Sequence, residues 1–145
     1  MKIYYEKENF PTSSGKIYFT LEGDINTEGA GYVWTLGKGV YGIFEGEELI
    51  YIGETMVSFE ARMRQHNKAM QNASSVNKMY KYIKENFRKN KFYMRPLVEI
   101  ETRVKATRKL TMEEVKVIEL GFITCFQPKF NVEGRFKNYL LKKNT

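Results

Sequence analysis

The sequence predicts an α+β domain, a central three-stranded and mostly antiparallel sheet flanked by helices, with a β-rich N-terminal extension. Three observations predict it. Two short apolar runs, GVYGIF and ELIYIG, flank a Gly-containing polar turn and read as a β-hairpin. A third run, Phe92 to Ile100, supplies the remaining strand. Around these lie segments whose apolar residues recur at helical spacing.

Length and charge bound the rest. At 145 residues the chain reads as one domain able to bury a normal core. No apolar run approaches the ~20 residues needed to span a bilayer, and MKIYYEKENF lacks the apolar stretch of a signal peptide. A cytoplasmic protein without a membrane partner is expected. The single Cys125 excludes an internal disulfide and reads as a core thiol, and one Cys with one His cannot build a four-ligand zinc site. The formal net charge is +7, unevenly spread. Residues 1–38 are slightly acidic, whereas Arg62 to Arg95 holds ten basic residues and one acid, Glu85. Such a stretch attracts a polyanion, most commonly nucleic acid.

In chain order, residues 1–38 form the extension. Ile17, Phe19 and Leu21 alternate with polar neighbours, Gly23-Asp24 offers a turn, and Tyr32, Trp34 and Leu36 repeat the alternation. These strands either cover a sheet edge, the commoner role, or contact nucleic acid or a second copy. PTSSG, residues 11–15, reads as a loop. In the hairpin, loop parity decides whether Tyr41 and Tyr51 share a face. A three-residue loop, Phe44-Glu45-Gly46, with Gly46 left-handed would put both phenols on one face.

Ser58 caps a first helix over about Phe59 to Met70. At 100° per residue, Phe59, Met63, His66 and Met70 share one face within about 60°. Arg62 borders that face, one turn before His66, while Arg64 and Lys68 point away. A second helix starts at Ser74 or Ser75, burying Val76, Met79, Tyr80, Ile83 and Phe87 and presenting Lys78 and Lys81 to a polyanion. Pro96 within the third strand signals an edge or a bulge. The next segment is basic, with Arg103 and Lys105. Thr111 and Glu114 form a capping box for a third helix running to about Cys125, with the stripe Met112, Val115, Ile118, Phe122 and Phe126. Glu119 lies about 40° from Val115 on that face. A carboxylate buried there unpaired costs several kcal/mol, so it needs a cation, either an arginine such as Arg62 or a divalent metal. Gln127-Pro128 ends the helix, and Asn131 beyond it can hold that end against the hairpin through backbone hydrogen bonds. Residues 133–145 are a basic tail that can form a short helix.

Gly39-Val40-Tyr41 and Tyr51-Ile52-Gly53, ten residues apart and followed by an Arg-x-x-x-His helix, resemble the motif of the GIY-YIG nuclease family. The likeness continues through Glu119 and Asn131 and covers residues 39–132, between the extension and the tail. It implies a metal-dependent DNA endonuclease of restriction, homing or phage type, with Tyr41, Tyr51, Arg62, His66, Glu119 and Asn131 as its catalytic set. Glu119 would ligate Mg²⁺, with Mn²⁺ as a substitute. By resemblance, Tyr41 takes the proton from the attacking water while His66 and Tyr51 assist, and Asn131 organises the site. The residues by themselves leave Tyr41, Tyr51 and His66 open as the base. The family often carries a basic or amide residue after YIG; here Glu54 stands there.

The carboxylate inventory fits one metal. The chain's one aspartate, Asp24, lies in the extension, so Glu119 with waters and a substrate phosphate would complete an Mg²⁺ shell. Arg62 can grip phosphate through its planar fork. Arg64, Lys68, Lys78, Lys81, Arg103 and Lys105 are the expected nucleic-acid contacts. DNA is the expected partner; a homodimer or a protein partner stays open. Two other classes compete: a non-catalytic nucleic-acid binder or inhibitor that kept the fold, and a small assembly protein whose basic stretch is only solvated.

Overall fold

The computed structural model describes residues 2–3, 15–21, 25–29, 34–72, 77–100 and 111–132. Residues 11–14 of the PTSSG loop, the Gly23-Asp24 turn, Tyr32, the Ser74 and Ser75 helix starts, Val76, Arg103, Lys105 and the 133–145 tail lie outside them.

The fold is α+β. Strands β1 (Lys2–Ile3), β2 (Lys16–Tyr18), β3 (Asn26–Glu28), β4 (Gly39–Glu45), β5 (Glu48–Thr55) and β6 (Phe92–Glu99) form one antiparallel sheet. Its order is β3-β2-β6-β4-β5, with β1 also pairing to β6. The three expected strands are adjacent, as β6-β4-β5. The sheet is larger than three because the extension's strands join the other edge of β6, with Ile17 opposite Met94 and Ile3 opposite Val98.

The hairpin reaches its expected geometry by a different device. Glu45 pairs with Glu48 across a two-residue turn, and Gly46 sits at φ 59°, which suits glycine and the strand twist. The three-residue loop is therefore corrected. A two-residue loop alone would put Tyr41 and Tyr51 on opposite faces. However, Ile43 pairs with Tyr51 while Phe44 pairs with Leu49, so Ile50 is an extra, bulged residue. The bulge restores parity and returns both phenols to one face. A second bulge answers Pro96: Val40 pairs with Val98 but Tyr41 with Pro96, leaving Leu97 as the extra residue.

Helices cover both faces. On one, Tyr41, Ile43, Ile50, Phe92 and Met94 pack with Phe59, Met63 and Met70 of α1 (Phe59–Gln71) and Met79 and Ile83 of α2 (Lys78–Asn86). On the other, Val40, Phe44, Ile52, Tyr93 and Leu97 pack with Val115 and Ile123 of α3 (Met112–Phe126). A short α4 (Lys129–Val132) follows. Local chemistry sets the helix starts. Ser58 Oγ accepts from Ala61 N, and Thr111 and Glu114 form the reciprocal capping box. The cap of α2 is Asn77, which accepts from Tyr80 N, rather than Ser74 or Ser75. Gln127, left-handed at φ 45°, stops α3 before Pro128.

Other expectations are corrected. Trp34–Leu36 is a 3₁₀ turn rather than a strand, because its Trp34 ring turns in against Phe59 while Leu36 stays exposed. Leu21 is exposed too, since the strand ends at Tyr18. The sheet-facing row of α3 is Val115, Glu119, Ile123, which leaves Met112 exposed at the helix start. Cys125, about 200° round from Ile123, is exposed and is not a core thiol. Among the described residues no helix is long and apolar enough to cross a membrane.

Candidate active site

Among the described residues β5 is an edge strand, and the site forms along that edge. The edge-facing peptide groups of Ile52 would be left without strand partners there. Asn131 supplies them: Ile52 N donates to Oδ1 at 2.7 Å, and Nδ2 donates to Ile52 O at 2.9 Å. A carboxamide carries the donor and acceptor of a peptide, so one side chain substitutes for a neighbouring strand. This is the backbone tie expected of Asn131.

Beside it opens a cleft of about 410 Å³, lined by Tyr41, Tyr51, Ile52, Glu54, Arg62, Lys116, Glu119, Leu120, Ile123, Phe130 and Asn131. Five of the expected catalytic residues therefore share one cavity, brought from β4, β5, α1, α3 and α4. His66 stands behind it. Its Nε2 lies 2.7 Å from Tyr41 Oη and its Nδ1 2.6 Å from Tyr80 Oη. Arg62 Nε donates to Tyr41 Oη at 3.2 Å, and its Nη1 to Gln65. Tyr41 and His66 are both fully buried. Gly53, opposite Tyr41, gives that ring its seat: a Cβ there would lie 2.5 Å from Tyr41 Cζ.

Burial dominates the electrostatics. It pushes the Tyr41 phenol well above its usual value, with Tyr51 adding to the effect and Arg62 opposing it. Tyr51 is raised by burial and then by Glu119. Burial, followed by Arg62, lowers His66 to about 3, so its imidazole is neutral at physiological pH. One ring nitrogen then carries a proton and the other accepts one.

Glu119 is half-buried on α3, between Val115 and Ile123, and faces this cleft. Both nitrogens of the one histidine are engaged, so the donors left on the cleft are oxygens. Among the described residues no group of three or more His, Cys, Asp or Glu could hold a metal. A hard cation bound by one carboxylate, water and phosphate fits such donors.

The basic residues separate. Lys78 lines a second cleft of about 340 Å³ with Tyr51, Arg62, Asn77, Met79, Tyr80 and Phe130. Arg64 is exposed and pairs with Glu60 at 2.9 Å, and Lys68 and Lys81 are exposed away from both clefts. Sequence reasoning missed Tyr80, which looks like a core position on its helix. It also missed Lys116, whose Nζ meets Glu54 Oε1 at 3.2 Å, and Phe130, which lines both clefts. Nothing in residue spacing links Tyr80 to His66, because they lie on different helices. Glu99, at the end of β6, is a second interior acid and is 4% exposed.

No family model, curated protein or solved structure matches the chain.

Proposed function

We propose that this protein is a GIY-YIG type endonuclease that hydrolyses DNA phosphodiester bonds with one divalent cation, Mg²⁺ or in substitution Mn²⁺. The observation that carries the reading is the single cleft shared by Tyr41, Tyr51, Arg62, Glu119 and Asn131, with His66 bonded to Tyr41 from behind. The basic run from Arg62 to Arg95 supports a polyanionic substrate.

Each side chain has a task in this chemistry. Arg62 binds the scissile phosphate and steadies charge developing on its oxygens, where a preorganised donor is worth ~10²–10³ in rate. Glu119 holds the cation, which when bound withdraws charge from the phosphate oxygens. Tyr41, as phenolate, takes the proton of the attacking water, and Arg62 Nε–H stabilises that phenolate. Tyr51 flanks the same space and orients water or phosphate by hydrogen bonding. Asn131 holds α4 and the β5 edge in register.

Supercoiled plasmid incubated with Mg²⁺ or EDTA tests the reading. Wild type is expected to nick or linearise it only with metal, and Glu119→Ala and Arg62→Ala each to lose ~10²-fold or more of that rate. If DNA and RNA substrates survive intact while gel-shift binding persists, a nucleic-acid-binding module replaces the enzyme.

A further inference from the structure

We infer that Tyr80 is a positioning residue that drains the Tyr41 proton, through His66, into the second cleft. The inference rests on the nuclease reading above, in which Tyr41 acts as the base. To do so Tyr41 must first lose its own proton, and among the described residues its oxygen meets two groups, Arg62 Nε–H and His66 Nε2. Arg62 only donates, so His66 receives the proton. The first cleft is where the phosphate sits, and a proton released there would have to leave past the substrate.

His66 cannot keep that proton. It is fully buried beside Arg62, and both burial and that cation disfavour an imidazolium. Among the described residues its titratable and charged neighbours are Arg62 on α1, Tyr41 on β4, Tyr51 on β5 and Tyr80 on α2. The partner of Nδ1 is Tyr80 Oη at 2.6 Å, and Tyr80 lines the second cleft. The three side chains thus run from the lining of the first cleft, at Tyr41, to the lining of the second, at Tyr80.

The step balances without a charged imidazole. Initially Tyr41 O–H donates to Nε2, and Nδ1–H donates to Tyr80 Oη. As the Tyr41 O–H bond breaks, Nε2–H forms. Nδ1–H breaks in turn as a new O–H forms on Tyr80, whose original proton passes to water in the second cleft. One proton has left, His66 has exchanged tautomers, and the Tyr41 phenolate rests against Arg62 Nε–H and His66 Nε2–H. The deficit of a broken relay must lie in kcat, because Tyr80 is not where the phosphate binds.

His66 is the chain's one histidine, so its ring nitrogens are read by NMR without ambiguity. At neutral pH wild type is expected to carry the ring proton on Nδ1. Tyr80→Phe, which keeps the ring but removes the acceptor, is expected to move that proton towards Nε2. The same variant should lose about 100-fold in kcat, a typical general acid–base contribution, with KM and metal-free DNA affinity unchanged. The deficit should narrow as pH rises and hydroxide replaces the relay. Wild-type kcat in Tyr80→Phe overturns the relay and leaves the nuclease standing, as does a wild-type ring protonated on Nε2. If Tyr80→Phe fails to fold, the wild-type tautomer decides. If wild type binds DNA but cuts nothing, the nuclease reading falls and takes the relay with it.

Discussion

The two walls of the cleft follow opposite rules. On the β4 and α1 side, Tyr41 and His66 are fully buried, and the Tyr41 oxygen and both imidazole nitrogens meet fixed partners within 3.2 Å. On the β5 and α3 side, Glu54, Lys116 and Glu119 are only partly buried, and water reaches them. A dry, fully bonded wall fixes which atom passes a proton to which, because each bond is stronger where the dielectric is low and each orphan costly. A wetter wall lets waters exchange, as binding a hydrated cation and a phosphate requires. Under the proposed chemistry the first wall makes the base, and the second, with the partly exposed Arg62 reaching over from α1, receives the substrate.

The largest expected effect comes from disturbing the dry wall by a single methyl group. Gly53→Ala would put a Cβ 2.5 Å from Tyr41 Cζ, and the ring, packed edge-on to Phe59 and His66, has nowhere cheap to go. Overpacking of this kind costs ~1–3 kcal/mol of stability, and a misplaced reacting group costs ~10² in rate. Plasmid cleavage should therefore collapse while gel-shift affinity holds. Full cleavage by Gly53→Ala would mean that the Tyr41 hydroxyl is not needed where it sits, and the division between walls would lose its meaning.

Acid tests the same wall more gently. In the folded chain His66 is held to about 3, below its usual 6.5. Between those values the unfolded chain binds a proton that the native one refuses, so stability rises with pH there and falls as pH drops below about 6.5. The slope is about 1.4 kcal/mol per pH unit, or ~2 kcal/mol from pH 6.5 to 5. Urea unfolding of wild type should show this loss, and His66→Gln should not. Equal slopes in both proteins would show that His66 is not the neutral, buried group this wall requires.

What the sequence made legible was what one short stretch can encode. Ser58 and the Thr111–Glu114 box cap their helices through residues three apart. Helical spacing aimed Arg62, His66 and Glu119 at the interior, and the motif order collected Tyr41, Tyr51 and Asn131 beside them. Register was not legible, because it belongs to a pair of strands. The bulges at Ile50 and Leu97 appear only when both strands are laid together, and the hairpin loop came out one residue shorter than expected for the same final parity. Cross-element contacts stayed hidden for the same reason. Tyr80 and Lys116 reach His66 and Glu54 across folded distance, from helices whose spacing marks them as ordinary core and surface.

Lys116 carries the smallest expected effect and sharpens the wet half of the comparison. The residue after YIG is acidic here, Glu54, and would turn a negative charge towards an incoming phosphate. Lys116 answers it from α3 at 3.2 Å, with the two side chains 43% and 19% exposed. A pair this open contributes little to folding, at most ~1 kcal/mol, so Lys116→Gln should leave the melting temperature almost unchanged. Its consequence is electrostatic: an uncompensated Glu54 should weaken DNA affinity by about fivefold, equivalent to ~1 kcal/mol, at low salt. Added salt should erase most of that difference, because the site is partly open to solvent. Glu54→Gln should act in the opposite direction, and the double variant should bind as wild type does. Lys81→Gln, an exposed change outside the cleft, gives the comparison. If it weakens binding while Lys116→Gln does not, the polyanion approaches along α2 alone, and the α3 side of the cleft is not a substrate wall.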